Sequence, residues 1–486
     1  MAARMSGLKR QRAVVIGGGI AGLAAATTLA EHGVAVTVLE REPQLGGRVA
    51  SWPITLPDGS RLLMERGFHA FFRQYSYLRG LMRRWDPTLQ NLVPLADYPI
   101  LGPSGELMRF DRLPKRTPWN VAAVALRGRR WMGLSDLPRV DVKRALAMVW
   151  GTDLARFDGE TARDYLDGLR FPPEARRMMF DVFAHSFFNP EEEMSAAELL
   201  MMFRFYFTAN PEGLVFDVLR DPFATAFIEP WKTYLEGLGV ELCTARPALA
   251  IQHDATGARR FAVETKDAVL PADLVVLATE VPGLHALART SSALQTHAPG
   301  ETPLSERLLA LQVTAPFAVW RLFLDRQPNA DRDPFAGTAG VGRLDNISIY
   351  ERIEGESRAY AKRTGNSVVE LHAYGLDPIG EAALKTELRA GLDRLYPELA
   401  GARVVHDEWL LRQDCPAFPP GSYRGRPTVR TTVPGLALAG DFVQLPFPSA
   451  LMERAAGSGV LAARTLLAEG AQPMPMRSAL TARRLA

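Results

Sequence analysis

The stretch from Val14 to Arg48 constrains this chain most tightly. The β-branched run Val14, Val15 and Ile16 reads as a buried strand. Gly17, Gly19 and Gly22 follow at G-x-G-x-x-G spacing, and an Ala- and Leu-rich helix comes next. A second strand runs from Val34 to Leu39 and ends on Glu40. Each part has a physical task. Gly17 permits a tight turn, Gly19 lets backbone approach a pyrophosphate, and Gly22 lets helix pack closely on strand. Ile20 and Ala21 open the helix, whose free N–H groups and positive dipole end suit phosphate oxygens. Glu40 stands about 20 residues downstream, the place of a carboxylate that binds ribose hydroxyls. A dinucleotide site follows.

The continuation past Glu40 and Arg41 separates flavin from nicotinamide. Gly46 and Gly47 allow a second close backbone approach, and Arg48 adds fixed positive charge. This acid-to-Gly-Gly-Arg run resembles the signature of the FAD-dependent amine oxidase and carotenoid desaturase superfamily. No second G-x-G-x-x-G occurs, so a dedicated nicotinamide domain is not expected.

Length and composition set the outer bounds. At 486 residues the chain can hold more than one domain. It is 47% hydrophobic and 23% charged, as ordinary globular proteins are. A net charge of +3 argues against nucleic-acid binding. Cys243 and Cys415 alone can build neither a disulfide framework nor a zinc cluster, so no metal and a cytoplasmic setting are expected. Lys9, Arg10 and Arg12 before an apolar run imitate a secretory leader, but the dinucleotide motif accounts for the same residues. No apolar run is long enough to span a bilayer.

Taken in order, the chain alternates between two kinds of pattern. A Pro57–Gly59 turn joins two strands, and Met64–Trp85 becomes helical from about Phe71. Asp97–Pro114 reads as a hairpin around Gly102–Gly105. Residues 119–150 interleave Arg and Lys with Trp119, Trp131 and Trp150. That composition suits a helix lying in a membrane surface, or an ordinary amphipathic helix. In "MSAAELLMMFRFYF", Ser195 is expected to cap a helix with Glu198 as its capping-box partner. Strands return at 239–280, at Phe317–Arg326 and at Asn366–Gly375. The chain closes on a buried strand, Gly440-Asp441, and a helix capped at Ser449.

The strings "MERGFHAFFRQY", "MSAAELLMMFRFYFTANPEG" and "GDFVQLPFPSALMERAA" look like the carotenoid φ-ring synthase branch of that superfamily. The resemblance runs from about residue 12 to 470. It implies an α/β fold: a Rossmann-type FAD-binding domain with an interleaved α+β substrate domain of antiparallel sheet and helices. The FAD-binding parts fall at 10–95, 237–290 and 406–470, the substrate parts at 96–236 and 291–405, and a tail at 471–486. It places Gly67 and Phe68 before the flavin, Ala248 near adenine, Gly440 and Asp441 at the ribityl or pyrophosphate, and Ser449 and Ala450 at the pyrimidine end. His69, Glu65 and Arg73 become the candidate catalytic residues, with His69 favoured as base. Phe71, Phe72, Tyr75, Trp320, Tyr350 and His372, with Arg321, become candidate lining. No lysine lies in the sheet strands, which argues modestly against amine oxidation.

The implied reaction takes a carotenoid β-ionone ring to an aromatic ring by hydride removal, a 1,2-methyl shift and proton loss. An apolar substrate of this kind raises the odds of peripheral membrane contact at 119–150, on the inner face of the cell membrane. Two other readings compete: a flavin oxidase of a soluble amine or small metabolite, and a non-catalytic FAD carrier. The terminal electron acceptor and the oligomeric state stay open.

Overall fold

The computed structural model describes residues 10–470 except 96, 111–113, 115–118, 120–122, 124, 125, 128, 129, 134, 151, 152, 182–184 and 208–214. The expected tail at 471–486 and part of the expected membrane face therefore lie outside the described residues.

Five parallel strands form one sheet. Their order is Glu241–Cys243, Ala35–Leu39, Arg12–Ile16, Leu274–Leu277 and Leu436–Leu438. Both faces are covered, so its central strands are apolar throughout rather than alternating. The helix Ile20–Glu31 packs against the last helix, Leu451–Gly470, at a spacing set by Gly459, while Gly22 sets the spacing of the first helix on the strand and turn before it. A Cβ on Gly22 would stand 1.9 Å from the Gly17 carbonyl oxygen, and one on Gly459 would stand 2.2 Å from that of Ala21. No side chain larger than hydrogen fits either place.

A seven-stranded sheet forms the second layer. Its order is Val404–Arg412, Phe317–Leu324, Ser367–Ala373, Asn346–Ile349, Phe335–Thr338, Ile100–Leu101 and Leu107–Met108. All pairs are antiparallel except Phe335–Thr338 with Ile100–Leu101. The boundary expected at 405/406 falls inside the edge strand Val404–Arg412, which belongs to this sheet. The hairpins expected around Pro57–Gly59 and Gly102–Gly105 are present. The helix expected from Phe71 is shorter. Phe71–Phe72 is a strand paired with Phe216–Leu219, and the helix spans Ser76–Met82. Among the described residues no helix is long and apolar enough to cross a membrane.

The helix Ala196–Phe207 starts where the sequence places it, and the Ala197 amide donates to Ser195 Oγ at 3.2 Å. Glu198 does something other than cap. Its two oxygens accept from Arg426 and Arg454, both at 2.6 Å, and all three residues are buried. Burial raises the Glu198 carboxyl, but the two guanidinium charges outweigh it and hold it below its ordinary value. Arg454 also donates to the carbonyls of Ser449 and Asp441. The helical middle of the chain is thereby fixed to the start of the last helix. Glu198→Ala leaves two buried cations without a counter-charge. It is expected to lower stability by about 3–5 kcal/mol, read from the urea unfolding midpoint. A loss below about 1 kcal/mol would contradict this role.

Candidate active site

The parallel sheet and the seven-stranded sheet face each other across a cavity of about 810 Å³. That lies within the range for small-molecule and cofactor sites. At one end two glycine turns meet. The Gly46 amide donates to the Gly18 carbonyl at 2.9 Å, and Gly19 bridges Gly46. Gly17 has φ +112 and Gly46 φ +113, values that favour glycine. A Cβ on Gly17 would stand 2.5 Å from the Ala278 carbonyl oxygen, whereas one on Gly19 would meet nothing closer than 3.8 Å. The loop is therefore tight behind and open in front.

Glu40 sits beside it, buried, accepting from the Gly18 amide at 2.6 Å and the Glu42 amide at 2.8 Å. Burial raises its carboxyl above the ordinary value. The helix after the loop has no acidic residue in its first turn and no side-chain cap. Its leading N–H groups are left for an anion. Open loop, uncapped helix and adjacent carboxylate fit the pyrophosphate and ribose of FAD.

Arg48 and Asp441 meet in the middle of the cavity wall, Nη1 to Oδ2 at 2.8 Å and Nη2 to Oδ1 at 2.6 Å. Burial raises the Asp441 carboxyl, but Arg48 outweighs it and holds it below the ordinary range. The two residues that the sequence assigns separately to the cofactor are thus one bidentate pair. Ile20, Ala21, Arg41, Gly47, Phe68 and Gly440 also line the cavity. Ser449 and Ala450 do not. They are buried beneath its wall, and Leu451, Met452 and Ala455 take the lining places. Gly22 packs inside, and Ala248 opens a strand of a separate three-stranded sheet outside the lining.

The inner half of the cavity is aromatic. Phe68 stacks on Phe335 at 4.5 Å, and Phe72 meets Tyr206 at 4.7 Å. Tyr75 shares a 3.0 Å hydrogen bond with Tyr206. Tyr98, Phe187, Phe188, Phe317, Tyr374 and Phe418 complete the wall. Of the six lining residues expected from sequence, Phe72, Tyr75 and His372 line it. Phe71 is in the core, stacked on Phe223 at 5.7 Å.

Strand alternation explains the miss at Trp320, and Tyr350 is instead the first residue of the helix Tyr350–Ile353. Phe317, Val319 and Arg321 point to the cavity side of the sheet, so Trp320 points away. Its Nε1 donates to Asp407 at 2.8 Å on the far face. Tyr350 lies under the Arg321 guanidinium, 3.9 Å from ring centroid to Cζ, and is sealed below the wall.

The candidate catalytic residues also separate. His69 lines the cavity, with Nδ1 2.7 Å from the Gly67 carbonyl oxygen. A carbonyl only accepts, so Nδ1 carries the hydrogen. Burial pulls this imidazole down to about 4. Glu65 lies behind the wall, accepting from Ser51 Oγ at 3.1 Å and the Phe223 amide at 2.5 Å. Burial raises its carboxyl to about 7, but it does not reach the cavity. Arg73 pairs with Asp217 at 2.7 Å, also outside the lining.

Beside His372, the same sheet face carries Glu370 and Tyr374, which the sequence pattern alone does not single out. Glu370 and His372 share one side of the strand Ser367–Ala373, and Tyr374 follows directly after its end. Glu370 accepts from His372 Nε2 at 2.7 Å, from the Phe68 amide at 3.0 Å and from Arg321 Nε at 2.9 Å. Burial raises its carboxyl, but Arg321 and His372 together hold it well below the carboxylate range. Gly67, at φ +105, passes directly over the histidine. A Cβ there would stand 2.6 Å from His372 Cε1. The E-x-H spacing was the available signal for the first two sharing a side, because every second residue of a strand shares a face.

The cavity holds no lysine among the described residues. Its two inner acids are already engaged, Asp441 by Arg48 and Asp414 by Arg66 at 2.6 Å. Among the described residues no cluster of side chains could hold a metal ion.

The model of the family "Flavin containing amine oxidoreductase" matches residues 20–467. A carotenoid phi-ring synthase of Streptomyces griseus is 45% identical over 461 residues, covering 93% of this chain and 87% of that protein. One from Chlorobaculum tepidum is 26% identical, covering 96% and 90%. Among solved structures, a putative protoporphyrinogen oxidase from Exiguobacterium sp. aligns with TM-score 0.63 at 18% identity over 95% of this chain and 99% of that one. Cyclohexylamine oxidase from Brevibacterium oxydans aligns with TM-score 0.66 at 14% identity over 95% and 99%. With that match, the α/β fold and the FAD-shaped phosphate loop, the chain belongs to the flavin-containing amine oxidoreductases and is an FAD-dependent oxidoreductase of the carotenoid desaturase kind.

Proposed function

We propose that this enzyme converts the β-ionone end rings of a carotenoid into aromatic φ rings. The similarity to the Streptomyces phi-ring synthase over 93% of the chain carries this reading. The chemistry of the cavity supports it. An ammonium substrate needs an unpaired carboxylate or an aromatic cage open to water, and both inner acids here are neutralised by arginine. A hydrocarbon ring needs apolar walls, and aromatic residues supply them.

Bound FAD supplies the two-electron oxidation. Gly17, Gly19 and the helix N-terminus would hold its diphosphate and Glu40 a ribose, and the Arg48–Asp441 pair would present a fixed polar edge to it. A β ring must gain two double bonds and move one methyl to the neighbouring carbon, so two hydride–proton pairs leave each ring. The faces of Phe68, Phe72 and Phe335 stabilise the ring cation formed after each hydride departs. The closed apolar walls keep water from trapping it. An imidazole that protonates only near about 4 is a weak proton acceptor at neutral pH. We therefore assign His69 the task of staying neutral beside the cation, and Glu65 and Arg73 structural tasks.

Some of the exposed apolar side chains fall in the segment where a membrane contact was expected. Trp119, Leu126, Val142, Leu146 and Trp150 all face solvent. Val142 and Leu146 share one side of the helix Val142–Val149, with Ala147 and Met148 buried on the other. Arg127 and Arg130 are instead turned onto the carbonyls of Arg109 and Leu107. Arg129 lies outside the described residues. We infer that this apolar edge, rather than the arginines, rests in the lipid surface from which the substrate is drawn.

Expression in a host that makes β-carotene, followed by pigment chromatography and mass analysis, tests the reaction. Products with four fewer hydrogens per ring are expected. Unchanged β-carotene beside soluble, yellow, flavin-loaded protein would contradict the reading. In vesicle sedimentation, the combined substitution Val142→Ser, Leu146→Ser and Trp150→Ser is expected to lower lipid partitioning by on the order of tenfold or more. Unaltered partitioning would contradict the membrane edge.

A further inference from the structure

Two residues of the strand Ser367–Ala373 and the tyrosine just after it form a chain of hydrogen bonds that ends in the cavity. Glu370 is sealed from water and held as an anion by Arg321, whose Nη2 stands 2.8 Å from Oε2. A carboxylate anion only accepts, so His372 Nε2, 2.7 Å away, carries a hydrogen. In a neutral imidazole the other nitrogen is then an acceptor. His372 Nδ1 stands 2.5 Å from Tyr374 Oη, which must donate to it. Asn346 Nδ2 donates to the same phenol oxygen at 3.0 Å, leaving one lone pair of Oη free. Asn346, His372 and Tyr374 all line the cavity, and Glu370 stands behind them. With the imidazole neutral, the carboxylate sets the order of donors, phenol to imidazole to carboxylate, and the Phe68 amide reaches Glu370 at 3.0 Å while standing 3.4 Å from His372 Nε2.

Resting on the φ-ring reading above, we propose that Tyr374 takes the proton lost by the substrate ring, with His372 and Glu370 as the relay behind it. After hydride removal and methyl shift, the electron pair of a ring C–H bond adjacent to the cationic carbon becomes the new C=C bond. The proton of that bond passes to Tyr374 Oη. The phenol's own proton passes at once to His372 Nδ1. The imidazolium formed is stabilised by the Glu370 carboxylate through Nε2–H, as a buried acid stabilises imidazolium in a catalytic triad. The phenol never becomes an anion, which suits a buried tyrosine. The ring cation is consumed, one positive charge appears on His372, and no further oxidant is needed. Deprotonating a carbocation needs only a modest base, but one with somewhere to send the proton.

Tyr374 is here a catalytic residue, while Glu370 is a positioning residue that acts through His372. The strand fixes Glu370 and His372, because residues two apart on a strand share a face, and Tyr374 is held by its amide donating to Asp345 at 2.6 Å. Gly67 and Phe68, bonded to Glu370 through the Phe68 amide, hold the front of the cavity against the same unit.

Tyr374→Phe removes the phenol oxygen and leaves the ring. With flavin-loaded protein and β-carotene in phosphatidylcholine vesicles, anaerobic flavin bleaching and aromatic product are measured separately. The relay requires bleaching within about threefold of wild type and an unchanged KM. Aromatic product should fall at least about 10²-fold, with ring products trapped before aromatisation. Glu370→Gln, which removes the charge that stabilises the imidazolium, should lower product formation at least about tenfold relative to its own bleaching rate. Wild-type protein should show a solvent deuterium isotope effect on product formation that Tyr374→Phe lacks. Aromatic product at the wild-type rate from Tyr374→Phe would overturn the relay and leave the φ-ring reading intact. A wild-type enzyme that makes no aromatic ring would overturn the reading itself, and the relay with it.

Discussion

A carboxylate closed off from water must be engaged by several donors or it will not stay ionised. Glu370 meets that demand with Arg321, His372 and the amide of Phe68. Each partner comes from a different place in the chain, so this one buried charge aligns three surfaces. Arg321 ties neighbouring strands of the seven-stranded sheet, directly opposite Glu370 in register. The Phe68 amide draws the Gly67–His69 segment over the sheet. His372 carries the charge to the cavity wall. Removing the negative charge would strand a buried guanidinium and release the front of the cavity at once.

Long-range ion pairs do the same work elsewhere. Arg48 and Asp441 are 393 positions apart and close the two ends of the flavin-binding region on each other. Glu198 joins Arg426 and Arg454, which in turn bind the backbone at the start of the last helix. The two Glu198 pairs are shielded from solvent, so salt screens them little. The cavity is therefore framed by charge and lined by aromatic rings.

Much of this was legible in the sequence, for identifiable reasons. The Val14–Arg48 run carries strand, glycine turn, helix and acid within one local stretch, and local geometry is what glycine spacing encodes. The hairpins at 57–59 and 102–105 were legible from turn residues. Trp320 was misplaced although the strand was correctly found, because a shift of one residue in facing reverses a strand's two sides. Glu198 was read as a capping residue because a capping box is local, whereas its real partners lie more than 200 positions away. Tyr98, Tyr206, Phe335 and Phe418 enter the wall through tertiary packing alone, and no local pattern marks them. His372 was legible as a lining residue, whereas Glu370 behind it and Tyr374 just past the strand's end take their places only once the cavity face of the strand is known.

The family, the FAD-shaped loop and the hydrocarbon-lined interior lead to one central claim: this flavin oxidises a carotenoid ring rather than an amine. Anaerobic stopped-flow with purified, flavin-loaded protein tests it most directly. Mixed with β-carotene in vesicles, the oxidised-flavin band should bleach at a rate that rises and saturates with carotenoid, while benzylamine and putrescine leave it unchanged. Bleaching by either amine, with none by β-carotene, would contradict the account.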